Sequence, residues 1–117
     1  MGFRFETLEV YQNALKISVE VFIIVEDLQK NKQYVFADQL SRACLSITNN
    51  IAEGSGSNSD KEFANFLNVA RRSVFECVNI IIVLEMKGIL KSEKKNILTD
   101  QFDLLSRKIQ NLRKTLL

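Results

Sequence analysis

Apolar residues recur along this chain at the three- and four-residue spacing of an α-helix, in four blocks separated by short polar breaks. In the first block one seam runs Val10, Ala14, Ile17, Val21, Ile24 and Leu28, and a second runs Leu8, Tyr11, Leu15, Phe22 and Val25 with Ser18 interrupting. Together they predict a helix over 6–30 with a broad apolar face. Asn31-Lys32-Gln33 breaks the pattern, after which Leu40, Cys44, Ile47 and Ile51 define a second helix over 33–53, with Gly54 placed to end it. The loop Gly54-Ser55-Gly56-Ser57-Asn58 follows. Ser59 with Glu62 three residues on has the form of a capping box and opens a third helix over 59–87. Its seam is Phe63, Leu67, Ala70, Val74, Cys77, Ile81 and Leu84, and Gly88 is placed to stop it. Leu98, Phe102, Leu105, Ile109, Leu112 and Leu116 mark a fourth helix over 92–116.

Four long segments joined by short loops predict a single all-α domain over 1–117, an antiparallel up-down-up-down four-helix bundle. The third helix is apolar almost all round over 74–84, and the first carries extra apolar residues at Val19 and Ile23. A helix apolar on every side must be covered on every side, and four helices cannot do that for their own perimeter. The pattern therefore predicts self-association through the first and third helices, at Val19, Ile23, Phe75, Val78 and Ile82.

Composition narrows the chemistry. Histidine is absent, which removes His-based triads, the His general base and the Glu-x-x-His motif of di-iron bundles. Cys44 and Cys77 lie inside apolar runs with no third ligand nearby, so they read as buried free thiols in a reducing compartment rather than as a disulfide or metal site. No cofactor is expected. The opening Met1-Gly2-Phe3-Arg4-Phe5-Glu6 lacks the apolar core of a secretory signal. The longest wholly apolar stretches, 21–25 and 80–84, fall far short of the ~20 residues that span a bilayer, so a cytoplasmic protein without a membrane partner is expected.

The net charge of +2 favours no partner, but its distribution is uneven: residues 1–88 carry nine basic and eleven acidic groups, and 89–117 carry seven and three. The last quarter is locally +4. Arg71 and Arg72 on the third helix join Lys91, Lys94, Lys95, Arg107, Lys108, Arg113 and Lys114 as candidate nucleic-acid contacts. Such side chains meet phosphates rather than base edges, which makes binding salt-sensitive and weakly selective for sequence.

A polar stripe runs along the second helix through Gln39, Arg42, Ser46, Asn49 or Asn50, and Glu53, and the third helix adds Ser73 and Glu76. A ligand cleft built on Arg42, Ser73 and Glu76 would need a base to activate the serine, and none is near it in sequence. Gln39, Arg42, Ser46, Asn50, Glu53, Ser73 and Glu76 therefore read as a polar network that fixes helix register. The loop at Gly54–Ser57 has the small residues of a phosphate-binding loop, but it lacks the Gly-Lys-Ser/Thr ending and follows a helix, not a strand. It reads as a helix connection.

The run from Asp38 to Gly54 meets every specified position of Q-L-x-R-A-x-x-S-I-x-x-N-I-A-E-G. In this it resembles the bacterial four-helix bundle proteins encoded in intervening sequences of large-subunit ribosomal RNA genes. The opening Phe5-Glu6-Thr7-Leu8-Glu9-Val10-Tyr11-Gln12-Asn13-Ala14, the segment Glu62-Phe63-Ala64-Asn65-Phe66-Leu67 and Ser73-Val74-Phe75-Glu76 follow the same pattern. The resemblance implies a homopentamer, and a related branch, the accessory protein of diversity-generating retroelements, implies a basic ring that binds nucleic acid and a nucleic-acid enzyme. The chain departs from the pattern at Ser57, where an arginine is common, at Arg72, where a glycine is, and in lacking a proline between the first two helices. Taken together, these features predict a non-enzymatic, ring-like homo-oligomer that binds RNA or DNA through phosphates. The alternative is a protein–protein module whose basic residues only solubilise it.

Overall fold

In a computed structural model describing residues 2–117, the expected helices form: α1 (Glu9–Lys30), α2 (Tyr34–Ser55), α3 (Asp60–Met86) and α4 (Ser92–Thr115). Met1, part of the expected domain, lies outside the described residues. Consecutive helices pack side by side, α1 on α2, α2 on α3 and α3 on α4, and the ring of four closes through a sparser α4–α1 seam. The result is a rod of 44 × 24 × 21 Å, its long axis set by the 27-residue α3 at 1.5 Å per residue.

Each seam position of α2 and α3 named above is buried, as are Leu98, Phe102, Leu105 and Ile109 of α4 and the Val10-to-Leu28 seam of α1. The second seam of α1 is split: Val25 is buried, Leu8, Tyr11 and Phe22 pack at the edge of the core, and Leu15 is exposed. Ser18, which interrupts it, is buried against α2, where its hydroxyl donates to the Ala14 carbonyl at 2.7 Å and accepts from the Cys44 thiol at 3.3 Å. Cys44 and Cys77 are free and buried. The adjoining Cys44 sulfur and burial together push the Cys77 thiol up, so it stays protonated as a small apolar residue.

The helix ends refine the sequence reading. The first helix starts at Glu9, not at residue 6, because extended backbone at Leu8 separates it from a 3-10 turn at Arg4–Thr7. That break turns Phe5 edge-on to Tyr11, with ring centroids 4.8 Å apart, and sets Arg4 over the Phe63 ring. At the other end of α1, Lys32 takes φ 63°, and the N–H groups of Lys32 and Gln33 close on the carbonyls of Gln29 and Leu28. This is a Schellman cap with a lysine where glycine is preferred. The same cap ends α3 with the expected residue: Gly88 sits at φ 75°, Gly88 N–H reaches Glu85 and Ile89 N–H reaches Leu84. Ser59 caps α3 by accepting from Glu62 N–H at 3.1 Å.

Gly54 is a correction. It does not end α2, which runs on to Ser55; it is buried inside the last turn, and a Cβ there would stand 2.7 Å from Phe66 Cβ and 2.9 Å from Phe63 Cδ1. The glycine is required by the close approach of α2 to α3, not by a left-handed cap.

Candidate nucleic-acid interface

The nine candidate cations do not form one patch. Lys91 and Lys114 stand near opposite ends of α4, about 35 Å apart at 1.5 Å per residue, and most of the others are committed to partners. Lys94 pairs with Glu20 at 3.8 Å and Lys95 with Glu85 at 3.7 Å. Lys108 donates to Glu9 across the α4–α1 seam, and this hydrogen bond, with the charge behind it, holds the Glu9 carboxyl below its ordinary value. Arg113 donates from Nε to the Ala64 carbonyl at 3.2 Å, tying the end of α4 to the start of α3. Arg72 is exposed on α3, about 100° round the helix from Arg71.

Three cations do converge. In an antiparallel pair, the register that sets Arg113 beside Ala64 and Lys95 beside Glu85 also brings Arg71 opposite Arg107. Arg71, Arg107 and Lys114 line one cavity of about 290 Å³ between α3 and α4 with Ser106, Gln110 and Asn111. Arg107 holds Asp103 at 3.1 Å, one turn back on its own helix, in a pair exposed to solvent; such pairs contribute about 0–1 kcal/mol and exchange readily. Lys114 has no ion-pair partner among the described residues. Gln110 Oε1 is buried there without a hydrogen bond, and the same amide carries an NH2 group able to donate. The Ser106 hydroxyl spends its proton on the Asp103 carbonyl at 3.0 Å, so the cavity offers two guanidinium forks, an ammonium and two amides to an anion, a donor set that suits a phosphate.

Sequence reasoning named Arg71, Arg107 and Lys114 but missed Ser106, Gln110 and Asn111. Gln110 and Asn111 stand three or four residues from Arg107 and Lys114, and Ser106 stands four from Gln110, which puts them near one face of α4, a signal readable only once the facing helix was known.

Of the expected polar network, three members meet. Asn50 Nδ2 donates to the Ser46 carbonyl at 2.7 Å and to Ser46 Oγ at 3.1 Å; the Ser46 and Ser73 hydroxyls are 2.8 Å apart, and Ser73 donates to the Val69 carbonyl at 3.1 Å. Since Ser73 spends its proton on Val69, Ser46 donates to Ser73, and the chain fixes α2 against α3. Gln39, Arg42, Glu53 and Glu76 are not part of it: all are exposed, because they point further out than the α2–α3 edge. Arg42 turns to Asp38 on its own helix at 3.2 Å. Arg42, Ser73 and Glu76 therefore share no cleft.

The apolar residues expected at an interface between copies divide as well. Val19 (64%), Ile23 (60%), Phe75 (54%) and Ile82 (41%) are exposed, whereas Val78 is half-buried against the bundle's own core. Val19 and Ile23 follow Leu15 in a stripe on the outer side of α1. Phe75 lies beside the basic cavity, with the Arg71 guanidinium 5.0 Å from its ring centroid. Among the described residues no group of side chains is arranged to hold a metal ion, and no helix is long and apolar enough to cross a membrane.

Residues 6–111 match the family model described as 23S rRNA-intervening sequence protein. Among solved structures, the chain is similar to a protein of unknown function from the S23 ribosomal protein family of Bacteroides thetaiotaomicron, with 22% identity and a TM-score of 0.85 over 90% of this chain and 98% of that one. That is a likeness of fold. No curated protein matches.

Proposed function

The chain belongs to the 23S rRNA-intervening sequence protein family, and from that premise we propose that it is a non-enzymatic, cytoplasmic bundle that self-associates and binds RNA or DNA through phosphates, scaffolding a nucleoprotein complex. The observation that carries this reading is the convergence of Arg71, Arg107 and Lys114 on one α3–α4 cavity, while Lys94, Lys95 and Lys108 are neutralised by acids. A net charge of +2 gives little long-range pull, so binding depends on this local concentration and on its repetition in an oligomer.

Self-association is supported by the exposed apolar stripe Leu15, Val19 and Ile23 on α1 and by Ile82 with Met86 near the end of α3. These helices are diagonal in the bundle, each packed between α2 and α4, so their outward faces point to opposite sides. Two different patches on opposite sides favour head-to-tail contacts, which close into rings when the rotation allows. A homopentamer is the ring implied by the sequence resemblance.

The test is light scattering for molar mass, followed by titration of the same sample with a labelled polynucleotide at low and high salt. A mass near five times 13.4 kDa and an affinity that falls steeply with salt support the proposal. No binding even at low salt leaves a self-associating protein–protein module, and a monomer removes the ring.

A further inference from the structure

We propose that the α3–α4 groove is a site for single-stranded nucleic acid, seating an unpaired base against Phe75 while the neighbouring phosphate enters the Arg71–Arg107–Lys114 cavity. This rests on the nucleic-acid reading above and specifies its ligand. The basic cavity is not isolated: a second, of about 290 Å³, adjoins it through Ser106 and is lined by Phe75, Val78 and Phe102, with Thr99 and Asp103 at its polar side. Arg71 joins the two, since it lines the basic cavity and stacks its guanidinium over Phe75 at 5.0 Å.

Phosphate contacts alone need no aromatic residue, and a duplex keeps its base faces covered. An exposed phenylalanine beside a cluster of cations is the pairing by which single strands are held, because every base has a face to stack and a phosphate next to it. Arg71 and Phe75 are one helical turn apart, about 6 Å along α3, the scale on which a nucleotide separates its base from its phosphate. Asp103 lines the Phe75 cavity and pairs with Arg107 of the basic one. An incoming phosphate displaces that carboxylate and leaves it at the base's edge, where it accepts from an exocyclic amino group.

The chain contains no tryptophan, so Phe75→Trp places a single fluorescent reporter at the stacking position. Full-length wild type, Phe75→Leu and Phe75→Trp would be titrated at low salt with a labelled oligoadenylate and with a blunt RNA duplex of equal length, after molar mass and helicity have been checked for each. Wild type is expected to favour the single strand. Phe75→Leu is expected to weaken single-strand binding about tenfold with duplex affinity and mass unchanged, and Phe75→Trp to bind as well as wild type with its emission quenched. Undiminished single-strand binding by Phe75→Leu, or an unquenched tryptophan, overturns the proposal while leaving phosphate binding in place. A lower mass for Phe75→Leu overturns it by making the groove a seat for a second copy. Wild type that binds neither probe overturns the nucleic-acid reading itself.

Discussion

Replacing Gly54 with alanine sets two effects of opposite sign against each other. Gly54 lies inside a helical turn, so helix propensity alone favours alanine by about 1 kcal/mol. Against this, the new Cβ would meet Phe66 Cβ at 2.7 Å and Phe63 Cδ1 at 2.9 Å. Phe63 is a fully buried ring, and Phe66 Cβ is fixed to the α3 backbone, so relief requires the two helices to move apart. Overpacking of this kind costs about 1–3 kcal/mol, and more where backbone must shift. Because backbone must shift here, the upper part of that range, about 2–3 kcal/mol, applies; the steric effect wins, and the expected net loss is about 1–2 kcal/mol. For a chain of this length, 1 kcal/mol moves the midpoint by about 4 °C, so Gly54→Ala should melt roughly 4–8 °C below wild type. Far-ultraviolet circular dichroism at matched protein concentration measures this, since self-association would otherwise shift the midpoint. Gly56→Ala is the control: its Cβ meets only the Glu53 carbonyl oxygen at 3.5 Å, and it should stay within about 0.5 kcal/mol of wild type. A Gly54→Ala protein as stable as wild type would refute the close approach of α2 and α3.

Lys32→Gly removes a left-handed lysine from the cap of α1 and should raise stability by up to about 1 kcal/mol, the left-handed penalty less the entropy glycine adds to the unfolded chain; the same melting experiment checks it. Glu9→Gln tests the tie across the α4–α1 seam. The folded Glu9 carboxyl is held below its ordinary value by Lys108, so its contribution is present above the unfolded value of about 4.3 and is lost as pH falls through the folded one. The midpoint difference between wild type and Glu9→Gln should therefore shrink between neutral pH and about pH 3. Asp103→Asn frees Arg107 and removes a negative charge from the groove, and should tighten polynucleotide binding severalfold in an anisotropy titration.

The helices were legible because their seams are long and regular: the seven positions from Phe63 to Leu84 specify α3 and its buried face without help from the rest of the chain. Gly54 misled, since a glycine at the end of an apolar run looks the same whether it caps a helix or lets another helix approach. Lys32 gave no signal at all, because nothing in its side chain favours a left-handed backbone. The candidate site was legible only as a surplus of cations. Which of them converge depends on the α3–α4 register and on acids from other helices: Glu9 is 99 residues from Lys108, so no local pattern could separate Lys108 from Lys114. The polar stripe on α2 failed likewise, as helical spacing could not say that Ser46 and Asn50 lie at the α3 edge while Gln39 and Glu53 face outward.

The most direct test of the central claim compares two triple variants that lose the same charge. Arg71→Ala/Arg107→Ala/Lys114→Ala empties the α3–α4 cavity of cations, whereas Lys94→Ala/Lys95→Ala/Lys108→Ala removes only lysines already paired with acids. Polynucleotide affinity would be measured for each across a range of salt concentrations. The account predicts that the first triple loses most of its binding and its salt dependence, while the second stays close to wild type. Equal losses from both would mean that net charge, not the cavity, attracts the ligand, and would contradict it.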